Sequence, residues 1–474
     1  MKNMVKKLLI FFLFFLVSCA TNPVTGRHEL MLISENRELE IGKEAALSAN
    51  WEFGGQYHDP ALESYLYKII KHIWQNSERP YLPFKFYIQN TSIPNAFALP
   101  GYVAITRGLL SDLENEAQFS YIMGHEIGHV MARHTAQRLS RATLQQFGLS
   151  LGETLLGGTR NADTLLSIGA IGSSFLLLKY DREQELGADR LGVRYTAMLG
   201  YNPNEALKAH EVLEKSLDNY LRRLGKSRHE DNFISGLLST HPRTDVRLSE
   251  IQAMINGLPP YRIRDDGKFS NRFQIELKKI KEINDIYFIY DEAENHYKRE
   301  NFELAEQRLN KAIMLNDGQA PFYNLLGFIK LQKKNYAEAE RLYEKALSID
   351  PEYQPSIYGS GLVYYFRNDY EQAINKFKKS LALYPDHFGS HIAIGKSYFL
   401  TQRYKQAIPY LENFANSVPS NPEVHGLLGI CYEKTGNLEL AVREYRYQLK
   451  IAPDTEMGIH ARKRLAVLEP ALKR

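Results

Sequence analysis

The stretch YIMGHEIGHVMARH, residues 121–134, carries three histidines and a glutamate within ten residues. His125 and His129 are four apart. On an α-helix that separation is one turn plus about 40°, so both imidazoles project from one face. Two nitrogens on one face can grip a single Zn2+ ion. Glu126 lies one residue along, beside such an ion rather than on it, where it can take a proton from a water molecule. Gly124 and Gly128 flank the pair. A helical glycine costs about 1 kcal/mol relative to alanine, so two of them imply that another part of the chain approaches closely.

A zinc site needs a third protein ligand. The spacing in which a further histidine follows ten residues after the first, behind a glycine, is absent, because Thr135 and Ala132 stand there. His134 falls five residues after His129, about 140° around a continuous helix, and is expected at the surface or in a second layer. The better candidate lies in YDREQELGADRLG, residues 180–192. Glu185 and Asp189 share a helical face, so Glu185 can ligate the metal while Asp189 orients a ligand histidine. Taken alone, E-x-x-x-D is ordinarily a solvated face; only the upstream motif makes it specific.

These residues need elements to hold them. Residues 84–89 and 102–106 read as strands. Asp112 or Ser111 is expected to cap a helix running through Glu114 to about Arg141, and a second helix is expected over 182–199, stopped by GYNP. Residues 164–178 are apolar and rich in Gly and Ser, read as a core helix or one lying over the site, with shallow membrane contact as an alternative.

The N-terminus, MKNMVKKLLIFFLFFLVSCA, joins a basic start to a short apolar run. Ten helical residues cover about 15 Å, half of a bilayer core, so 1–18 reads as a signal peptide rather than a spanning helix. LVSC resembles the lipobox of bacterial lipoproteins, which makes Cys19 the expected lipidation site. The alternative is an ordinary signal peptide with a chance cysteine. No Asp follows Cys19, a pattern associated with outer-membrane sorting in proteobacterial lipoproteins. With Cys19 lipidated, Cys431 is alone and no internal disulfide can form. The formal net charge is +4, of which Lys2, Lys6 and Lys7 supply three, so the remaining balance is near neutral and gives no reason to expect nucleic acid as a partner.

From about residue 289 the chain repeats. Ala305, Ala339, Ala373, Ala407 and Ala441 are 34 apart, as are Gly327, Gly361, Gly395 and Gly429, and Pro351, Pro385, Pro419 and Pro453. This period resembles the tetratricopeptide repeat. Small residues let paired helices approach, and each proline ends a second helix. The first repeat is degenerate, and 457–468 reads as a terminal capping helix. The expected organisation is a signal peptide over 1–18, a metallopeptidase domain over 19–265, a linker and connecting helix over 266–288, and about five repeats over 289–470.

His125-Glu126-x-x-His129 with Glu185-x-x-x-Asp189 resembles the zinc peptidases that include the CAAX prenyl protease and the Oma-type mitochondrial proteases. NPVTGR at Asn22, PNAFALPG at Pro94, ITRGLL at Ile105 and STHP at Ser239 carry the likeness over residues 22–255. With the repeats behind it, the architecture resembles the BepA-like bacterial proteases, periplasmic quality-control enzymes of outer-membrane assembly. Two departures stand out: LPGYV has one glycine where many relatives have two, and BepA itself lacks a lipobox.

The resemblance implies an α+β, mostly helical zincin-type metalloprotease domain followed by an all-α repeat solenoid. It implies that His125, His129 and Glu185 hold Zn2+ and that Glu126 is the general base. His241 and Arg247 join the catalytic set, with His241 alternatively capping the metal. Asn95, Ala96, Phe97 and Ala98 form a strand along which substrate backbone adds. The implied partners are unfolded or misassembled envelope proteins, the outer-membrane assembly machine through the repeats, and a membrane through the lipid. A chaperone or adaptor with a largely latent protease is the other reading, because a repeat groove suits binding as well as delivery for cleavage.

Overall fold

A computed structural model describes residues 19–155, 180–226 and 245–472. The expectations for 1–18, for 164–178 and for His241 fall outside the described residues. The chain divides into two compact units, residues 1–291 and 292–474.

The first unit opens with a small antiparallel pair, β1 (Cys19–Thr21) and β2 (His28–Leu30), followed by α1 (Glu35–Glu52) and α2 (Pro60–Gln75). A three-stranded sheet then forms from β3 (Lys85–Gln89), β4 (Ala96–Leu99) and β5 (Tyr102–Thr106). Its order is β3-β5-β4, with β3 parallel and β4 antiparallel to β5, so β4 is an edge. Leu99 pairs with Tyr102, leaving Pro100-Gly101 as the turn. Gly101 has φ +83°, so proline followed by left-handed glycine makes a type II turn, and one glycine is enough here. Phe53 from just after α1 packs its ring, tilted, against Phe97 on the sheet, joining Ile41, Tyr102 and Ala104 in a buried cluster.

Then follow α3 (Arg107–Asp112), α4 (Glu116–Met131), α5 (His134–Leu155), α6 (Arg182–Met198), α7 (Glu205–Arg223), α8 (Asp245–Asn256), α9 (Ser270–Glu276) and α10 (Lys278–Lys298). The single helix expected through Glu114 to about Arg141 is two, α4 and α5, and the short α3 ends just before them at Asp112. Thr106 caps α3, and Asn115, not Ser111 or Asp112, caps α4 by accepting from the Gln118 amide. Asp112 instead accepts from Ser216.

After Met131 the chain turns sharply at Arg133, whose φ of 56° is left-handed. That conformation costs a non-glycine residue roughly 1–2 kcal/mol, and nothing in the local sequence announces it. It is held from outside. Buried Arg79 donates to the Val130 carbonyl at 2.8 Å, and Arg133 donates to Glu38 at 2.9 Å and to the Ile33 carbonyl at 2.8 Å. Asn22 and Gln137 both donate to the Ala132 carbonyl, at 3.2 and 2.8 Å.

The stretch expected as a linker is tied into the first unit. The Asn202 amide donates to the Gly267 carbonyl and the Glu116 amide to the Lys268 carbonyl, at 2.8 and 3.0 Å, and just before the stretch the Arg264 amide donates to the Gly200 carbonyl at 2.9 Å. Further on, Arg107 bonds Asn284 and lies over the Tyr287 ring at 3.9 Å.

The second unit is a run of helix pairs. It comprises α11 (Phe302–Leu315), α12 (Ala320–Gln332), α13 (Tyr336–Ile349), α14 (Gln354–Phe366), α15 (Tyr370–Leu383) and α16 (Phe388–Leu400), then α17 (Tyr404–Ser417), α18 (Val424–Lys434), α19 (Leu438–Ile451) and α20 (Glu456–Leu472). The periodic glycines act as sockets. A Cβ on Gly327, Gly361, Gly395 or Gly429 would lie 2.7, 2.5, 2.6 or 2.4 Å from Tyr343, Phe377, Leu411 or Tyr445, each sixteen residues on. The turn between paired helices repeats too, with left-handed Glu300, Lys334, Asn368, Gln402 and Gly436 in step. Among the described residues, no helix is long and apolar enough to cross a membrane.

Candidate metal centre

The centre is built where α4 crosses α6. A Cβ on Gly192 would lie 3.0 Å from the Tyr121 carbonyl and 3.1 Å from the His125 amide. A Cβ on Gly124 would meet Gly192 Cα at 3.2 Å, and one on Gly128 would meet Leu191 Cβ at 3.1 Å. The close approach implied by Gly124 and Gly128 is therefore that of α6, which carries Glu185 and Asp189.

The crossing brings His125, His129 and Glu185 into one buried group whose ligating atoms all lie within 4.8 Å of one another. His125 Nε2 and His129 Nε2 are 3.1 Å apart, and Glu185 oxygens lie 3.7 Å from the first and 3.5 Å from the second. Bonds of about 2.0–2.1 Å in a tetrahedral site put neighbouring ligand atoms about 3.3 Å apart. Two imidazole nitrogens and a carboxylate oxygen at these separations fit a zinc ion. Glu126 is buried one residue along α4.

Behind the ligands sits a layer of partners. Asp189 Oδ1 lies 2.9 Å from His125 Nδ1 and accepts from the Tyr121 hydroxyl at 2.9 Å, which in turn meets His210 Nε2 at 2.9 Å. Arg247, from the first turn of α8, donates through Nε and Nη2 to Asp189 at 2.6 and 2.8 Å, and pairs with Glu185 at 2.8 Å. Burial opposes ionisation of Asp189, but the hydrogen bonds from Arg247 and His125 overcome it and hold the carboxyl well below the usual range. Burial works against the Arg247 charge as well, yet Asp189 and Glu185 raise its pKa.

Of the two places expected for His134, surface or second layer, it takes the second layer, and the helix break brings it there. It is 5% exposed, and its Nδ1 lies 2.9 Å from Nδ1 of His129. Burial pulls its pKa down to about 4. The Tyr180 ring stacks on His129 at 3.8 Å between centroids, and burial pushes its hydroxyl up to about 12.

Of the expected substrate strand, Ala96, Phe97 and Ala98 lie in edge strand β4, which packs against α4. Asn95 precedes it, with its amide and carbonyl both bonded to the Thr106 side chain at 2.9 and 3.0 Å. Cys19 opens β1, its backbone opposite Leu30. Sequence reasoning missed Tyr121, His210 and Tyr180. Tyr121 sits four residues before His125 on the same helical face, which is a readable signal; His210 and Tyr180 arrive from distant segments and carry none.

Residues 60–255 match the family described as Peptidase family M48. The matched residues lie in the first unit, which is similar to an M48 peptidase domain. This match implies a metal cofactor, and His125, His129 and Glu185 form a possible site for it. Residues 290–353 and 392–454 match the tetratricopeptide repeat, and 332–414 match subunit 3 of the anaphase-promoting complex over the same helices. Among relatives, the beta-barrel assembly-enhancing protease of Yersinia pestis is 27% identical over 211 residues, 43% of this chain and 41% of the relative. The mitochondrial metalloendopeptidase OMA1 of Arabidopsis thaliana is 29% identical over 185 residues, 38% of this chain and 34% of the relative. The beta-barrel assembly-enhancing protease of Escherichia coli K12 is 25% identical over 219 residues, 45% of this chain and 42% of the relative. The matched part of the chain thus spans less than half the length of these relatives.

Proposed function

We propose that this chain is a zinc-dependent endopeptidase of the bacterial cell envelope. Its substrates are misfolded or stalled outer-membrane proteins, and its repeats bind those clients or the assembly machinery. The observation that carries the reading is the convergence of two histidines and a glutamate from two helices, with a buried glutamate one residue along and an edge strand packed against the same helix. The names of the relatives, a protease that enhances beta-barrel assembly and a mitochondrial metalloendopeptidase, support the substrate class and the reaction. The N-terminal pattern and the assembly-enhancing relatives support a periplasmic location, and the N-terminal pattern alone supports a lipid on Cys19.

His125, His129 and Glu185 would hold the zinc ion. Zinc, when bound, supplies the Lewis acid that acidifies a water and polarises the scissile carbonyl. Glu126 takes the proton of the attacking water and returns it to the leaving amine. Asp189 keeps the Nδ1 proton of His125 in place, so that Nε2 faces the metal. Arg247 holds Asp189 and Glu185 in register through its three donors. The open side of β4 aligns an extended substrate by strand addition, beginning at Ala96 because Asn95 is already bonded. His241 completes the set, either as a catalytic group or as a cap that keeps the enzyme latent. The latent alternative makes the repeats the dominant function, as a chaperone or adaptor.

The test is cleavage of an unfolded reporter by wild type, Glu126→Gln and His241→Ala, with zinc measured in each. Cleavage by wild type that Glu126→Gln abolishes at equal zinc supports the peptidase and its base. Cleavage only by His241→Ala favours the latent enzyme. Zinc-loaded protein that never cleaves would sink the peptidase reading.

A further inference from the structure

The two ligand histidines are backed differently. His125 has a carboxylate at its Nδ1, the usual partner of a metal-ligating imidazole. His129 has another imidazole there, at 2.9 Å between the Nδ1 atoms. The proton positions follow from the geometry. A histidine that offers Nε2 to a metal carries its proton on Nδ1. The His129 Nδ1–H therefore points at His134 Nδ1, which can accept only if its own proton sits on Nε2.

We infer that His134 is a positioning residue whose Nδ1 accepts the Nδ1–H of His129 and so holds the His129 Nε2 lone pair toward the metal.

Several features converge on that role. On an unbroken helix, a residue five positions after His129 would lie about 140° away and could not reach behind its ring. The left-handed Arg133 brings it back, and the contacts from Arg79, Glu38, Ile33 and Asn22 hold that turn. A strained turn sustained by four distant residues has a consequence at the metal: it delivers His134. The stacked Tyr180 ring fixes the plane of the His129 imidazole, so the hydrogen bond at Nδ1 fixes the remaining freedom, its tautomer. NPVTGR thereby acquires a task, since Asn22 ties the end of the motif helix.

The inference rests on the zinc reading above, and zinc affinity tests it without requiring cleavage. The full chain as wild type, His134→Asn and His134→Leu would be titrated with zinc against a chelator of known affinity. An Asn side-chain oxygen occupies nearly the place of a histidine Nδ1 and can accept; Leu cannot. The expected result is a 10–100-fold loss in His134→Leu and recovery to within about threefold of wild type in His134→Asn. Full affinity in His134→Leu would overturn the inference, as would equal losses in both variants. Wild type that binds no zinc would overturn the metal reading and the inference with it. If His134→Leu fails to fold, wild type suffices. Two-bond 1H–15N spectra of the 15N-histidine-labelled, zinc-loaded chain report each tautomer, with His134 protonated at Nε2 expected and His134 protonated at Nδ1 overturning the proposal.

Discussion

Replacing Gly192 by alanine tests whether the α4–α6 approach builds the metal centre. The new Cβ would sit 3.0 Å from the Tyr121 carbonyl, 3.1 Å from the His125 amide and 3.1 Å from the Tyr121 ring. Two of these three are backbone atoms of the helix that carries the ligand histidines, so no side chain can swing aside to make room. Ordinary contact begins near 3.4 Å, so the helices must part by about 0.4 Å, and overpacking of this kind costs roughly 1–3 kcal/mol. Alanine also favours the helix by about 1 kcal/mol, which would mask part of that cost. Gly187 lies on the same helix and removes this ambiguity: its Cβ would meet nothing closer than 3.7 Å, at His134.

Both substitutions carry the same propensity gain, so the difference between them isolates the approach. Gly192→Ala should be less stable than Gly187→Ala by about 1–3 kcal/mol in denaturant or thermal unfolding of the peptidase unit. Glu185 rides on α6 with Gly192, and metal sites tolerate only about 0.2 Å in ligand distances. Zinc affinity of Gly192→Ala should therefore fall about tenfold or more, while that of Gly187→Ala stays within about twofold of wild type. Equal stability and equal zinc affinity in the two variants would refute the reasoning.

Arg247→Met should leave Asp189 and Glu185 buried without their cation, costing about 3–5 kcal/mol of stability without zinc and less with it, as read by thermal melts in the two states. Removing zinc from wild type by chelation should lower the unfolding free energy by about 2.7 kcal/mol relative to zinc at 100 times its dissociation constant; a melt that ignores the chelator would count against a metal at this site. In the repeats, Gly429→Ala would drive a Cβ to 2.4 Å from the buried Tyr445 ring. A loss of about 1–3 kcal/mol in repeat stability with unchanged zinc affinity is expected.

His387 caps α16 by accepting from the Ser390 amide, and burial pulls its pKa from 6.5 down to about 4, with His391 adding to the effect. Its folded pKa lies below the unfolded one, so its contribution is full above pH 6.5 and is lost as pH falls toward 4. The loss should reach about 3 kcal/mol. His387→Asn, which keeps a capping oxygen, should flatten that pH dependence in repeat unfolding.

Local rules made much of this protein readable. A spacing of four residues puts His125 and His129 on one face whatever surrounds the helix, and the same rule aligns Glu185 with Asp189. The 34-residue period is equally local: each glycine socket and the side chain that fills it, such as Gly361 and Phe377, belong to one helix pair, so covalent distance already sets their meeting. The glycines of the motif helix announced a close neighbour, though not which one.

What the tertiary structure decided lies where distant segments meet. Neither Arg133 nor its neighbours favour a left-handed turn; Arg79, Glu38 and Asn22 impose it, and with it the place of His134. Arg247 reaches Asp189 across 58 residues of chain, and His210 reaches Tyr121 across 89. The stretch after residue 263 has a linker's composition, yet backbone hydrogen bonds to Gly200, Asn202 and Glu116 fasten it to the peptidase unit. Periodicity dictates which residues share a face, because backbone geometry is local. Which face meets which, and where a helix must break to let them meet, depends on side chains that are neighbours only once the chain has folded.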